Sequence, residues 1–299
     1  MTVALAVAVR TLPRGPGLAY EPKFDGHRLV VIRTVDGVSL QARSGRIVTA
    51  AFPDLAAAAH HLPAGTVLDG EVVVWHAGRT EFALVQRRAA AASAARAGVL
   101  AQTLPASYAA FDVLELAGLD LRARPYERRR ALLVDLLLPL GPPLQPVPMT
   151  TDPELAETWY ETLPASGIEG LVVKRMDQPY PAGQRGWQKL RHTNVRDAAV
   201  VGYTGTARRP LALVLVMPVG DETPLVSSPL TAALRTEVAA AVAERTSAHT
   251  SHASQGATVT AIGLGEVPFH LLDPPLTAEV RHTSTRHPPP EVLRLRTDL

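Results

Sequence analysis

Of the 30 basic residues in this 299-residue chain only three, Lys23, Lys174 and Lys189, are lysines, and every other positive side chain is an arginine. A GC-rich coding sequence would by itself favour arginine. Arginine keeps its proton at any working pH, whereas a lysine amine becomes a nucleophile once its surroundings lower its pKa. The three positions are therefore candidates for amine chemistry or for a compact point charge. Lys23 stands in Glu21-Pro22-Lys23-Phe24-Asp25-Gly26-His27-Arg28, beside an Asp-Gly turn and ahead of a β-prone run, and it reads as the nucleophile. Asp25 has two readings, a contact in the chemistry and a hairpin turn.

Further short motifs follow in order: Arg43-Ser44-Gly45, Asp69-Gly70-Glu71, Phe111-Asp112, Glu169-Gly170 with Lys174 beyond, and Trp187-Gln188-Lys189-Leu190-Arg191. Each alone is weak, because Lys-x-Asp-Gly also describes a turn with a solvated lysine. Six of them in series, taking in all three lysines, resemble the covalent nucleotidyltransferase motifs of ATP-dependent DNA ligases. The resemblance is closest to the small bacterial type built of an adenylation domain and an OB domain.

That resemblance implies a reaction. A lysine amine attacks the α-phosphate of ATP, expels pyrophosphate and holds AMP through a phosphoramide bond. AMP then passes to the 5′-phosphate at a nick in duplex DNA, and the 3′-hydroxyl displaces it. An ordinary lysine is neutral in roughly one molecule per thousand near pH 7.5, a cost of about 4 kcal/mol. Nearby cations reduce it, and Lys174, Lys189, Arg28 and Mg²⁺ are expected to supply them, with Mn²⁺ as an alternative metal. By the same resemblance Glu21 lies near the adenine amino group, Phe111 stacks on adenine, and Arg28 and Arg43 contact sugar, phosphates or the nicked strand. Glu71 holds the ribose or a metal-bound water, and Glu169 is the main Mg²⁺ partner. Toward the C-terminus, Arg286-His287-Pro288 and Leu295-Arg296-Thr297-Asp298 stand where relatives carry basic elements, so Arg296 and Arg286 are expected to orient pyrophosphate.

Two departures stand out. Arg191 replaces the second lysine of the Lys-x-Lys pair, keeping the charge, and the glycine-rich segment of many OB domains is missing. Candidate DNA-backbone contacts are Arg87, Arg88, Arg185, Arg196, Arg208 and Arg209, since sealing a nick needs no base reading. With no DNA-binding domain ahead of the first motif, modest and salt-sensitive affinity is expected, or delivery by a repair polymerase or end-binding protein. The alternatives are an RNA ligase, a GTP-using capping-type enzyme, or a nonenzymatic OB-fold nucleic-acid-binding protein. No Gly-x-x-x-x-Gly-Lys loop or Gly-x-Ser-x-Gly elbow supports a P-loop ATPase or a hydrolase.

The elements that must carry these residues form an α+β chain of two domains. An ATP-grasp-like adenylation domain of antiparallel sheets with helices is expected over residues 1–193, and a β-barrel OB-fold domain over 194–299. Arg28 to Thr34 and Val38 to Arg43 flank Asp36-Gly37 as a hairpin. Further strands are read at Glu71 to Trp75, Tyr108 to Leu116 and Leu171 to Arg175. Helices are read from Pro53 to His61, Phe82 to about Arg96, Tyr126 to Leu138 and Pro153 to Leu163. In the second domain, strands are expected at Ala198 to Tyr203, Ala212 to Val219, Val259 to Leu264 and Leu276 to Arg281, with a helix over Thr231 to Ala243. His249 and His252 read as solvated. The net charge of +2 announces no partner. The absence of cysteine excludes disulfides and thiolate chemistry and fits a reducing compartment, the cytoplasm by default. Thr2 to Val9 reads as a buried segment rather than a leader, no segment is long enough for a membrane, and a monomer is expected.

Overall fold

Alternating apolar and polar residues up to His192 build two sheets, joined first by a tight turn and later by a connection that passes through a helix. The computed structural model describes residues 1–192, 194–217, 224–248, 257–261, 265–282 and 289–296, and the chain divides into two compact units, Met1–His192 and Thr193–Leu299. The first unit runs β1 (Ala6–Val9), β2 (Leu18–Phe24), β3 (His27–Arg33), β4 (Val38–Ala42), α1 (Pro53–Ala59), β5 (Thr66–His76), β6 (Arg79–Thr80), α2 (Phe82–Ala89) and α3 (Ala94–Thr103). It continues through β7 (Ala106–Leu116), β8 (Leu119–Asp120), α4 (Tyr126–Leu137), β9 (Leu144–Pro146), α5 (Pro153–Thr162), β10 (Ile168–Arg175) and β11 (Trp187–Arg191).

The first sheet has the order β1-β11-β10-β2; the second has the order β4-β3-β5-β7-β8, with β6 on β5 and β9 on β7. The turn at Asp25-Gly26 carries the chain from one sheet to the other. Gly26 is required there, because a Cβ would stand 2.0 Å from the Val72 carbonyl oxygen. Between the sheets lies a cluster of Val30, Val67, Leu114, Trp187 and Tyr180, joined by Phe111 and Val172. Outside the second sheet, Leu29, Val31, Leu40, Leu68, Val72 and Tyr108 pack with Leu55 of α1, Val85 of α2 and Leu133 of α4. Outside the first, Tyr20, Leu171 and Val173 pack with Ala156, Trp159 and Tyr160 of α5. Each aliphatic side chain buried in this way stabilises the fold by roughly 1.5–3 kcal/mol relative to exposure.

Two local expectations change. The Ala-rich stretch over residues 82–96 is two helices, not one. Ser93 breaks it by capping α3, its hydroxyl accepting from the Arg96 N–H at 3.2 Å. Arg88 is also no surface charge. It is fully buried and paired with Asp54, donating from Nη2 to Oδ1 at 2.6 Å and from Nη1 to Oδ2 at 3.0 Å, and it also donates to the Leu104 carbonyl at 2.6 Å. It is therefore withdrawn from the DNA candidates, whereas Arg87, Arg185, Arg196, Arg208 and Arg209 are exposed.

The second unit runs β12 (Asn194–Thr206), β13 (Arg209–Val216), β14 (Leu225–Val226), α6 (Ala232–Ala248), β15 (Ala257–Ala261), β16 (Gly265–His282) and β17 (Glu291–Leu295). Its sheet has the order β14-β13-β12-β16-β15, with β17 on β16. Val200, Leu213, Leu215 and Val280 form its core with Leu234, Val238 and Val242 of α6. The strand expected at Leu276 is the second half of the much longer β16. Pro274 and Pro275 interrupt it where the pairing with β12 jumps from Leu276 to Leu271, so prolines that argue against a strand sit in its irregularity. His249, His252 and Arg286 lie outside the described residues. No helix among the described residues is long and apolar enough to cross a membrane.

Candidate active site

Register alone brings most of the motif residues to one face of the first sheet. Gly170 of β10 stands opposite Lys23 of β2 on one side and Arg191 of β11 on the other. Two residues along, Val172 stands between Glu21 and Lys189. Residues directly opposite in antiparallel strands share a face, so Glu21, Lys23, Lys189 and Arg191 project together. Glu169 would point away by strict alternation, but the β2–β10 pairing shifts between Ile168 and Gly170. The extra residue is Glu169, and the bulge turns it onto the Lys23 side. Gly170 makes this possible: its φ is +148°, and a Cβ would lie 2.0 Å from the Leu190 carbonyl oxygen.

Glu169 then serves two cations through one oxygen. Its Oε1 lies 3.0 Å from Lys23 Nζ and 2.6 Å from Arg191 Nε. The Arg191 contact is ionic rather than an aligned hydrogen bond. Glu169 is 3% exposed, whereas the Lys23 side chain is 20% exposed, so the amine is the reachable end of the pair. Lys189 has no ion pair among the described residues. Burial lowers its pKa first, and Arg191 and Lys23 push the same way. An unpaired ammonium beside a guanidinium and an amine is a site for an anion such as phosphate.

Facing this row is a carboxylate group short of positive charge. Burial first, and then the charge of Glu169, push the Asp25 carboxyl up to about 6. Burial also pushes Glu71 up to about 7, with Asp25 and Glu169 adding to the rise and Lys23 and Arg28 opposing it. Carboxyls that resist ionisation in this way fit a small hard divalent cation. Among the described residues no three His, Cys, Asp or Glu side chains converge closely enough to enclose a metal. The set therefore suits an ion that takes its remaining ligands from phosphate oxygens and water, as Mg²⁺ does.

Farther along the same face, where it becomes buried, lies a fully paired group around Glu21 that the sequence did not disclose. Lys174 is 1% exposed. Its Nζ meets Glu21 Oε2 at 2.7 Å, donates to the Phe111 carbonyl at 2.8 Å, and is ringed by Trp187, Tyr126 and Phe111 at 4.4, 4.7 and 5.0 Å. Burial lowers its pKa and Glu21 counteracts this. Lys174 is thus not the open phosphate cation expected from the motif; Lys189 is the one left uncommitted. The other Glu21 oxygen accepts from the Tyr126 hydroxyl. Arg28 makes a two-point pair with Asp69, at 2.9 and 2.6 Å, and lies 5.2 Å from the Phe111 ring centre. The Tyr180 hydroxyl also donates to Asp69. Arg28 therefore braces the strands at this point, opposite Glu71 on β5.

Phe111 is the extra residue of a second bulge, where β7 pairs Asp112 with Asp69 and Ala110 with Gly70. Its half-buried ring meets Trp187 edge-on at 5.7 Å. Arg43 is exposed just after β4, close enough that its charge bears on Lys189. Arg296 belongs to the second unit, where it pairs with Asp197 at 3.1 Å and Glu279 at 3.8 Å. The residues missed from sequence are Tyr126, Tyr180 and Arg129, the partner of the motif residue Asp112. The tyrosines left no trace beyond a hydroxyl at an apolar position, and Arg129 stands in a run of three arginines that gives no sign of which are buried.

A family model described as the ATP dependent DNA ligase domain matches residues 4–191, the stretch that holds every element of this site. The chain belongs to the ATP-dependent DNA ligase family. DNA ligase C2 of Mycolicibacterium smegmatis is 37% identical over 200 residues, covering 67% of this chain and 56% of that protein. DNA ligase C of Mycobacterium tuberculosis is 35% identical over 204 residues, again covering 67% and 56%. This ligase-family chain thus spans about half the length of the curated relatives it matches. The solved ligase domain of M. tuberculosis LigD is 25% identical with a TM-score of 0.56, covering all of this chain and 95% of that one. The fold is the mixed nucleotidyltransferase type of the ligases, built of sheets and helices.

Proposed function

We propose that this chain is an ATP-dependent DNA ligase that seals nicks in duplex DNA through an AMP carried on Lys23. The observation that carries the reading is the convergence of Lys23, Glu169, Lys189 and Arg191 on one sheet face, with the amine partly exposed and Lys189 without an ion pair among the described residues. Lys189 and Arg191 bind the phosphates of ATP and neutralise charge at the α-phosphate, so that the Lys23 amine approaches it without repulsion. Lys23 Nζ attacks the α-phosphorus; an N–P bond forms, the bond to the pyrophosphate oxygen breaks, and the amine proton leaves. Transfer of AMP to the 5′-phosphate of the nick restores the amine, and attack by the 3′-hydroxyl closes the strand and frees AMP. Glu169 and Glu71 would hold Mg²⁺, which when bound neutralises phosphate charge. Phe111 offers an aromatic surface for adenine, and Glu21 a carboxylate two residues ahead of the nucleophile.

The first unit is the adenylation domain in this reading. The second is an OB-fold domain, a reading supported by its one sheet of six strands with one helix among the described residues, and Arg296 is its contribution to pyrophosphate orientation. Exposed Arg185, Arg196, Arg208 and Arg209 would meet the DNA backbone in a repair setting, with affinity falling as salt rises. The test is mass spectrometry of the intact protein and its Lys23 peptide after exposure to ATP or GTP, followed by sealing assays on nicked DNA and nicked RNA. An added AMP on Lys23, lost in Lys23→Ala, and sealing of DNA are expected. Folded protein that gains no AMP would overturn the reading in favour of a nonenzymatic nucleic-acid-binding role. A GMP adduct, or RNA sealing alone, would move it to a capping-type enzyme or an RNA ligase.

A further inference from the structure

Where β11 ends, a set of contacts ties the strand to α5 with no part yet in the chemistry. The rings of Tyr160 and His192 stack with centres 3.8 Å apart and planes 15° apart. The Tyr160 hydroxyl donates to the Arg191 carbonyl at 3.1 Å, and the His192 ring meets the Tyr160 carbonyl through Nε2. The His192 backbone N–H donates to the Glu169 carbonyl at 2.9 Å. The Tyr160 hydroxyl therefore reaches residue 191 from α5, and the backbone of His192, held by the stack, reaches residue 169. Those two residues share the oxygen that also holds Lys23. The anchor is firm, because Tyr160 and its neighbours Ala156 and Trp159 pack on Tyr20, Leu171 and Val173 of the same sheet. His192 is also the last residue of the first unit.

We propose that Tyr160 and His192 are positioning residues that hold Arg191 on Glu169. The inference rests on Lys23 being the nucleophile. With Arg191 at 2.6 Å from Oε1, the carboxylate divides its charge between two cations, and Lys23, at 3.0 Å from the same atom, is held less tightly. If β11 slips, Arg191 leaves that oxygen and Glu169 has only Lys23 to pair with. The amine is then held at the carboxylate instead of turned toward the phosphate. Lys189 sits two residues earlier on the strand, opposite Val172, and stays available to the phosphates, so nucleotide binding weakens only by the share that Arg191 contributes.

The experiment measures the rate of AMP labelling of the full chain across ATP concentrations. Tyr160→Ala and His192→Ala are expected to lower the rate at saturating ATP roughly ten- to a hundredfold, the scale of an ångström-sized misplacement, with a smaller rise in KM for ATP. Tyr160→Phe keeps the ring stack and loses only the hydroxyl contact, so it should fall between them and the wild type. In an Arg191→Ala background, Tyr160→Ala should cause no further slowing, because the residue through which it acts is gone. Wild-type rates in Tyr160→Ala, a change confined to KM, or full multiplication of the two effects would each overturn the proposal. If Tyr160→Ala does not fold, Tyr160→Phe and His192→Gln decide: slowing at saturation supports the proposal and wild-type rates in both refute it. A wild-type protein that never labels refutes the parent reading instead, so the two failures are distinguishable.

Discussion

Arg129→Met removes one half of an ion pair whose two side chains are both 0% exposed. Arg129 donates from Nε to Asp112 Oδ1 at 2.7 Å and from Nη2 to Oδ2 at 3.0 Å. Its Nη1 donates to the carbonyls of Gln178, at 3.1 Å, and of Arg124. The guanidinium also lies 5.8 Å from the rings of both Tyr126 and Tyr180. Methionine can fill part of the volume but satisfies none of these acceptors. Burial already pushes the Asp112 carboxyl above the usual range, and the Arg129 hydrogen bonds are the largest effect opposing that. Breaking such a pair from one side costs about 3–5 kcal/mol. For a unit of this size that is a fall in Tm of about 6–20 °C, at about 2–4 °C per kcal/mol. Calorimetry on the full chain, with urea unfolding as a second measure, reads the loss in the transition of the first unit. The double variant Arg129→Met/Asp112→Leu should recover most of it, because no charge is then left without a partner. A single variant within about 2 °C of wild type, or a double variant less stable than either single one, would refute the account.

Three further outcomes are expected. Gly170→Ala forces a Cβ to 2.0 Å from the Leu190 carbonyl at a φ of +148°; it should cost more than about 1 kcal/mol in urea unfolding and suppress Lys23 labelling by moving the bulge that aims Glu169. Lys174→Met and Lys189→Gln should part company. The first leaves Glu21 buried without its cation and costs about 3–5 kcal/mol, whereas the second changes stability by less than about 0.5 kcal/mol but raises the KM for ATP in the labelling assay. The Glu71 carboxyl, pushed up from 4.5 to about 7, binds its proton more tightly in the folded state, so its contribution to stability falls as pH rises through that window. Glu71→Gln should therefore gain stability on the wild type at pH 8 and not at pH 4, and a gain of equal size at both would contradict this reading of its environment.

The hairpin was legible because alternation and a short turn are local facts, and β3 and β4 fall within a residue of their expected ends, although the turn centres on Val35-Asp36, with Gly37 paired to Thr34, and not on Asp36-Gly37. The lysines and their acidic companions were legible as types but not as partners. Whether Lys174 or Lys189 meets phosphate depends on which has a carboxylate beside it, and Glu21 lies far away in sequence. Arg88 was misread for the same reason: Asp54 is on another helix, and an Ala-rich stretch with three arginines has the composition of a solvated face. The bulges at Glu169 and Phe111 leave no mark on composition, yet they decide which way two site residues point. The three tyrosines at residues 126, 160 and 180 were invisible as polar groups, because a phenol in an apolar setting reads as core until its hydroxyl finds a partner.

The scarcity of lysine has a practical side. An acylating reagent that seeks side-chain amines finds three targets, each in a different shelter: Lys23 is 20% exposed, Lys174 is sealed beneath three rings, and Lys189 is half-buried. Modification at Lys174 registers opening of the whole unit, modification at Lys189 registers vacancy of the anion site, and loss of reactivity at Lys23 registers occupation of the amine itself. A single mass spectrum thus separates folding, occupancy and chemistry, because arginine has taken every other place where an amine would have blurred the record.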